Sequence, residues 1–288
     1  MKKNKNKKAF LGFLIGLITI GSIGLVLKIT NGIDINNSNE PILEEINGKS
    51  ISFLGDSIST YDGISNNVEY NSTIGSNAVW YTSAKLESVD LTYWKRTINN
   101  LDLELCVNNS WSGSEVTNYY DDVSAGCLSR AIQLHNDNTN TEPDIIVIYL
   151  GINDYYSVDG LGTYTSMDDI YNKTTEEYIG DTKLFAPAYA TMVHKVVHRY
   201  SNSDIYCMNL LPIGATKETE KLSLYNDVIK NVAKDLDCTL VDIFNKSGIS
   251  VSNISTYTFD GTHPKANGHE LISNVLQETL LKKYRLKK

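Results

Sequence analysis

The chain has 288 residues, 41% hydrophobic and 21% charged, with five prolines; this suits one sizeable globular domain or at most two small ones. Its formal charge of -8 hides an asymmetry, because five lysines fall in residues 2–8 and five basic residues in 282–288, leaving a strongly acidic body. That body offers no basic stripe to neutralise phosphates, which argues against a nucleic-acid partner and suits a neutral or cationic substrate.

The first predicted element is membrane-directed. A lysine-rich stub, Met1 to Lys8, precedes an uncharged run of 19 residues from Ala9 to Leu27. As a helix that run would span roughly 28 Å, close to the ~30 Å hydrocarbon core of a bilayer. The lysines should stay in the cytoplasm, so the rest of the chain should emerge outside. The alternative is a cleaved signal peptide, for which Ser22-Ile23-Gly24 supplies a small-x-small site. Leu25, Val26 and Leu27 would then be an awkward mature start. Residues 1–28 are therefore read as stub and signal-anchor, 29–49 as a polar tether, and 50–288 as the folded domain. The expected location is the cell membrane, single-pass with the domain outside, or the exterior if the segment is cut.

From Ser50 onward, short apolar runs alternate with longer helical patterns. Strands are predicted at Ile51–Leu54, Leu103–Val107, Ile145–Leu150, Ile205–Leu210 and Thr239–Ile243, and helices near 91–100, 115–135, 184–200, 218–236 and 266–284. Asp144 to Leu150 is apolar almost throughout, as a strand buried on both faces should be. The alternation predicts a three-layer α/β/α sandwich around a flavodoxin-like parallel sheet of about five strands. Ligands in such sheets bind beyond the carboxyl ends of the strands. Four polar motifs lie where that rule places chemistry: Gly55-Asp56-Ser57-Ile58-Ser59, Asn108-Asn109-Ser110-Trp111-Ser112-Gly113, Gly151-Ile152-Asn153-Asp154, and Asp260-Gly261-Thr262-His263-Pro264.

In this order the four motifs resemble the blocks of the SGNH (GDSL-like) hydrolases, and the resemblance extends from about residue 50 to 282. Within it, the stretch from Gly55 to Gly113 resembles bacterial members often grouped with carbohydrate esterases. The resemblance implies a serine ester hydrolase with Ser57 as nucleophile, His263 as base and Asp260 as the acid that orients it. It also implies an oxyanion hole built from the backbone N–H groups of Ser57 and Gly113 and the side-chain amide of Asn153. The residue types fit, since a serine hydroxyl is a poor nucleophile until a base takes its proton. Three residues apart on one turn, Asp260 and His263 can meet locally. This chemistry requires no metal and no organic cofactor.

Other residues compete for these roles. Asp242 is an alternative triad acid and His269 an alternative base, although His269 reads as a helix residue, on the surface or in packing. Asp56 and Asp154 read as braces for the strand-end loops. His194 and His198 have the spacing of a zinc-protease helix, but Lys195 stands where that motif needs its glutamate. Ser59 breaks the G-x-S-x-G elbow of α/β-hydrolases. The four cysteines form no CxxC, and Cys207 reads as a buried thiol.

Two inserts, Tyr61 to Asp90 and Tyr155 to Asp181, should border the site. From them Trp80, Tyr81, Tyr155 and Tyr156 are candidate substrate contacts, with packing of the inserts as the alternative. Their polar character argues against a deep acyl-chain tunnel and favours removal of a short acyl group from a small molecule or glycan. A lipase or thioesterase on the same scaffold, and a membrane-tethered binding module without turnover, are the competing functions.

Overall fold

The computed structural model describes residues 45–64, 79–119, 124–157, 160–214 and 216–286. The predicted anchor and most of the tether lie outside the described residues. Among the described residues no helix is long and apolar enough to cross a membrane. The fold begins slightly before residue 50: Ile46 is completely buried and the Gly48 N–H donates to Asp102 O at 2.7 Å. The end of the predicted tether is thus part of the domain.

Five parallel strands form the sheet: β1 (Ser50–Gly55), β2 (Glu104–Ser110), β3 (Ile145–Tyr149), β4 (Asp204–Met208) and β5 (Thr239–Val241). Their order is β2-β1-β3-β4-β5. Each overlaps its predicted strand, because a strand covered on both faces reads as a short apolar run. The chain steps to one side after β1 and to the other at β3, so the sheet reverses direction between these two neighbours. Their carboxyl ends therefore frame a crevice.

The helices are α1 (Tyr93–Leu101), α2 (Ile152–Ser157), α3 (Phe185–Arg199), α4 (Thr216–Asp235), α5 (Ile243–Lys246), α6 (Ile254–Tyr257) and α7 (Ala266–Leu286). On one face of the sheet Phe53 of β1 meets Tyr93 and Trp94 of α1, and Tyr149 of β3 meets Tyr93. Lys283 of α7 lies over Tyr206 of β4 on that same face. Helices α1 and α7 pack together there, joined by Thr97 and Ser273 at 3.1 Å. The opposite face turns Ser52 toward Leu134, whose carbonyl accepts its hydroxyl at 2.7 Å. α3 and α4 cover that side, so the three predicted layers are present. A short antiparallel ribbon pairs Tyr171–Asn172 with Glu177–Tyr178 in the second insert.

Among its described residues, the predicted helix near 115–135 is not formed. There the segment is irregular apart from a 3₁₀ turn at Ser129–Ile132. Its backbone groups find partners outside a helical ladder. Asp154 accepts from the N–H groups of Val116 and Thr117, while Glu115 O and Val116 O accept from Gly126 and Cys127. The apolar residues that imitate a helical period are buried by draping the segment over the sheet. Lys195 of α3 fixes it by donating to Cys127 O at 2.7 Å. All four cysteines are free thiols, and Cys207 is completely buried.

Candidate active site

Ser57 opens a 3₁₀ turn, Ser57–Ser59, immediately beyond β1. The preceding Asp56 caps that turn, its Oδ1 accepting from the Ile58 N–H at 2.9 Å. Gly55 is needed for space: a Cβ there would lie 2.6 Å from Ser59 Oγ and 2.8 Å from Ser110 Oγ. Thr60 closes the turn by donating to Ser57 O at 2.8 Å.

The far end of the chain supplies the partners. His263 Nε2 lies 2.9 Å from Ser57 Oγ, and His263 Nδ1 lies 2.7 Å from Asp260 Oδ2. The other carboxylate oxygen of Asp260 accepts from the backbone N–H groups of Thr262 at 3.0 Å and His263 at 2.8 Å. A bridge between Thr258 and Pro264 closes this turn, with the Phe259 N–H donating to His263 O. Carboxylate and imidazole are therefore held by one short segment. Partial burial alone would raise the Asp260 pKa, but the hydrogen bonds from His263 and Thr262 outweigh it and hold the carboxyl below its ordinary range. Burial lowers the pKa of His263, Asp260 opposes that shift, and Lys85 adds to it; the net direction is down. At neutral pH the pair is a carboxylate and a neutral imidazole. Nδ1 then carries the proton and Nε2 can accept one from Ser57.

Gly113, beyond β2, has φ +80°, a conformation that favours glycine, and the space its missing Cβ would occupy is open. Asn153, in the first turn of α2, donates from its side-chain amide to Ser114 O at 2.9 Å, which ties α2 to the loop carrying Gly113. Asp154 is completely buried and binds the next stretch of that loop.

The alternatives take other places. Asp242 caps α5 and accepts from Asn209 Nδ2 at 2.6 Å. His269 is completely buried, with Nδ1 accepting from the Tyr93 N–H at 3.2 Å, and burial pushes its pKa down to about 3. His194 and His198 pack with Tyr171, and His194 Nδ1 meets Tyr178 OH at 3.0 Å.

Three of the four substrate candidates require correction. Tyr81 is completely buried and its hydroxyl donates to Pro264 O at 2.9 Å, so it shores up the histidine turn from beneath. Tyr155 is buried against Tyr225. Trp80 stacks flat on the His263 ring, with centroids 3.8 Å apart and planes within 3°, and Lys85 Nζ lies 3.5 Å from the indole centre. Only Tyr156 keeps an open ring, 55% exposed, with its hydroxyl 2.9 Å from Thr262 Oγ1.

Sequence reasoning passed over Arg130. It is completely buried, donating from Nη2 to Gly55 O at 2.8 Å and Asn109 O at 2.7 Å, and from Nη1 to Ser124 O at 2.5 Å. Its guanidinium also lies over the Trp111 ring at 4.9 Å. One side chain thereby joins the ends of β1 and β2, the two strands that present Ser57 and the Gly113 loop. Nothing in the surrounding Cys127–Ile132 sequence marks this role.

Arg130 also bears on Asp56, whose Oδ2 is buried without a hydrogen-bond partner among the described residues. Burial raises the Asp56 pKa to about 7 against the lowering effects of the Ile58 N–H and Arg130; burial likewise raises Asp154 to about 6. An unfolded Asp ionises near 3.9. Over roughly pH 4–7 the folded chain thus holds a proton on Asp56 that the unfolded chain releases, and its contribution to stability falls as pH rises. Asp56→Asn removes that titration. Urea unfolding at about pH 5 and pH 7 should show the variant gaining stability relative to wild type at the higher pH; an unchanged difference would contradict this assignment.

The sequence profile of the GDSL-like lipase/acylhydrolase family matches residues 49–280. A structure described as a GDSL-like lipase from Bacteroides ovatus superposes with a TM-score of 0.59 at 26% identity, over 82% of this chain and 99% of that one. One from Bacteroides uniformis gives 0.58 at 22%, over 82% and 97%. A Lactobacillus plantarum protein gives 0.59 at 19%, over 82% and 97%, and at 22% and 19% identity these last two show the fold alone. No curated protein is significantly similar in sequence. Fold and family together define a carboxylic ester hydrolase. The chain belongs to the GDSL-like lipase/acylhydrolase family, within the SGNH hydrolases.

Proposed function

We propose that Ser57, His263 and Asp260 form the catalytic triad of an esterase that removes short acyl groups, such as acetyl, from a carbohydrate outside the cell. The unbroken chain of contacts from Ser57 Oγ to His263 at 2.9 Å and on to Asp260 at 2.7 Å carries this reading. Ser57 Oγ attacks the ester carbonyl while its proton passes to His263 Nε2. The tetrahedral intermediate expels the alcohol, which leaves with that proton, and an acyl group remains on Ser57. Water activated by the same imidazole then releases the carboxylic acid and restores the serine.

The developing oxyanion is held by the N–H groups of Ser57 and Gly113 and by the Asn153 amide. Ser114 O accepts from that amide and fixes its orientation, leaving its second hydrogen for the intermediate. Asn153→Ala should lower kcat about 100- to 1,000-fold, the usual consequence of losing one such donor, with a smaller change in KM. A loss confined to KM would assign Asn153 to ground-state binding instead.

The carbohydrate preference draws on the open Tyr156 ring beside the histidine turn and on the polar second insert. Acetate release from acetylated glycans, compared with hydrolysis of long-chain lipid esters, tests it; preference for the lipid esters would make the protein a lipase. The extracytoplasmic location rests on residues 2–27 of the sequence alone. Protease accessibility of the catalytic domain in intact cells tests that part independently.

A further inference from the structure

Both faces of the Trp80 indole are taken. His263 covers one face in parallel contact at 3.8 Å. Lys85 Nζ sits 3.5 Å from the ring centre. Two groups this close to one ring centre cannot share a side, so the ammonium lies opposite the imidazole. Each layer is anchored. Lys85 Nζ donates to Trp80 O at 3.0 Å. The Trp80 N–H donates to Thr60 Oγ1 at 2.9 Å, and the same hydroxyl donates to Ser57 O at 2.8 Å. Tyr81 and Phe259 hold the indole edge-on or tilted, with centroids 4.6 and 5.6 Å away. The indole is thus tied to the serine turn through its backbone and to the histidine turn through its face.

We propose that Lys85, Trp80 and His263 form a three-layer clamp in which the indole fixes the plane of the imidazole and the ammonium beyond it opposes the gain of charge on that imidazole. The inference rests on the reading of His263 as the base for Ser57. An aromatic face attracts a cation. A bare indole would therefore favour the imidazolium that forms when His263 takes the serine proton. The ammonium already engages that ring from the other side and repels a second positive charge. Among the described residues, the other titratable groups facing His263 are the Asp260 carboxylate at Nδ1, the Ser57 hydroxyl at Nε2 and the edge of the Tyr81 ring, 6.4 Å between centroids. His269, further along α7, is buried and neutral and adds no charge. Asp260 favours the imidazolium and Lys85 disfavours it, in keeping with the downward shift of His263. Trp80 and Lys85 are positioning residues, since they act through His263.

The test follows the rate of Ser57 labelling by a fluorophosphonate across pH, on the full chain. Lys85→Met keeps the stem and removes the charge, so the acid limb of the labelling profile should move up by about half a pH unit. Lys85→Arg should restore the wild-type limb. Trp80→Leu should slow labelling more than tenfold at the plateau, and adding Lys85→Met to it should produce no further shift. A Lys85→Met limb coincident with wild type overturns the proposal, as does a full shift surviving in the Trp80→Leu background. Lys85 is exposed, so its variants give an answer even if Trp80→Leu fails to fold. Failure of the underlying reading looks different: His263→Ala would then label as fast as wild type.

Discussion

Ser57→Ala is expected to reduce kcat by roughly a million-fold while leaving the domain folded, the scale that accompanies loss of a serine-triad nucleophile. The reasoning is geometric. Ser57 Oγ is the atom His263 Nε2 meets, at 2.9 Å, and the Ser57 side chain is almost fully buried in a turn whose shape depends on Asp56, Gly55 and Thr60 rather than on the hydroxyl. Removing one oxygen should leave that turn intact. His263→Ala should fall to a similar level, and the double variant little further, because in the proposed triad nucleophile and base act as a unit. Steady-state hydrolysis of an activated acetyl ester, with covalent labelling as a second readout, decides the matter. Additive losses in the double variant, or substantial turnover by Ser57→Ala, would show that another group performs the attack.

Arg130→Met should destabilise the domain by about 3–5 kcal/mol, through charge-assisted hydrogen bonds lost at Asn109 O and Ser124 O, ~1.5–3 kcal/mol each, and the reshaped space around them. Gly55 O retains the Trp111 N–H at 3.2 Å, so the heavier losses fall on Asn109 O and Ser124 O. At ~2–4 °C per kcal/mol for a domain of this size, the midpoint of thermal unfolding should fall by roughly 10 °C. Arg130→Lys should recover little, since a single ammonium cannot reproduce a planar fork that reaches three carbonyls. Urea unfolding of both variants measures this directly. A change within about 1 kcal/mol for Arg130→Met would mean that the loop repacks and that the guanidinium is replaceable.

The sheet was legible because each strand is covered on both faces and so reads as a bounded apolar run, from Ile51–Leu54 through Thr239–Ile243. The candidate residues Ser57, Gly113, Asn153 and His263 can be singled out for a related reason: each stands just beyond a strand or before the last helix, in a polar motif that an ordinary connection would not need. The 115–135 segment misled because Val116, Ala125, Cys127, Leu128 and Ala131 imitate a helical period. The partner that makes the irregular path affordable, Asp154, lies 38 residues from Val116. Trp80 misled for a similar reason. An aromatic residue in an insert suggests an open platform, and only the fold reveals that His263 and Lys85 already occupy both sides of the ring. Local pattern reports what a segment buries, not which distant side chain completes it.

The Asp260–His263 turn also shapes how assembly of the site can go wrong. Since carboxylate and imidazole are mated within four consecutive residues, their alignment survives any sliding of the segment as a whole. Their seam with Ser57, across which the imidazole, the indole of Trp80 and the Tyr81 hydroxyl all dock, has to be joined at long range. Lesions at that seam would produce molecules that are well folded and fully equipped, yet idle.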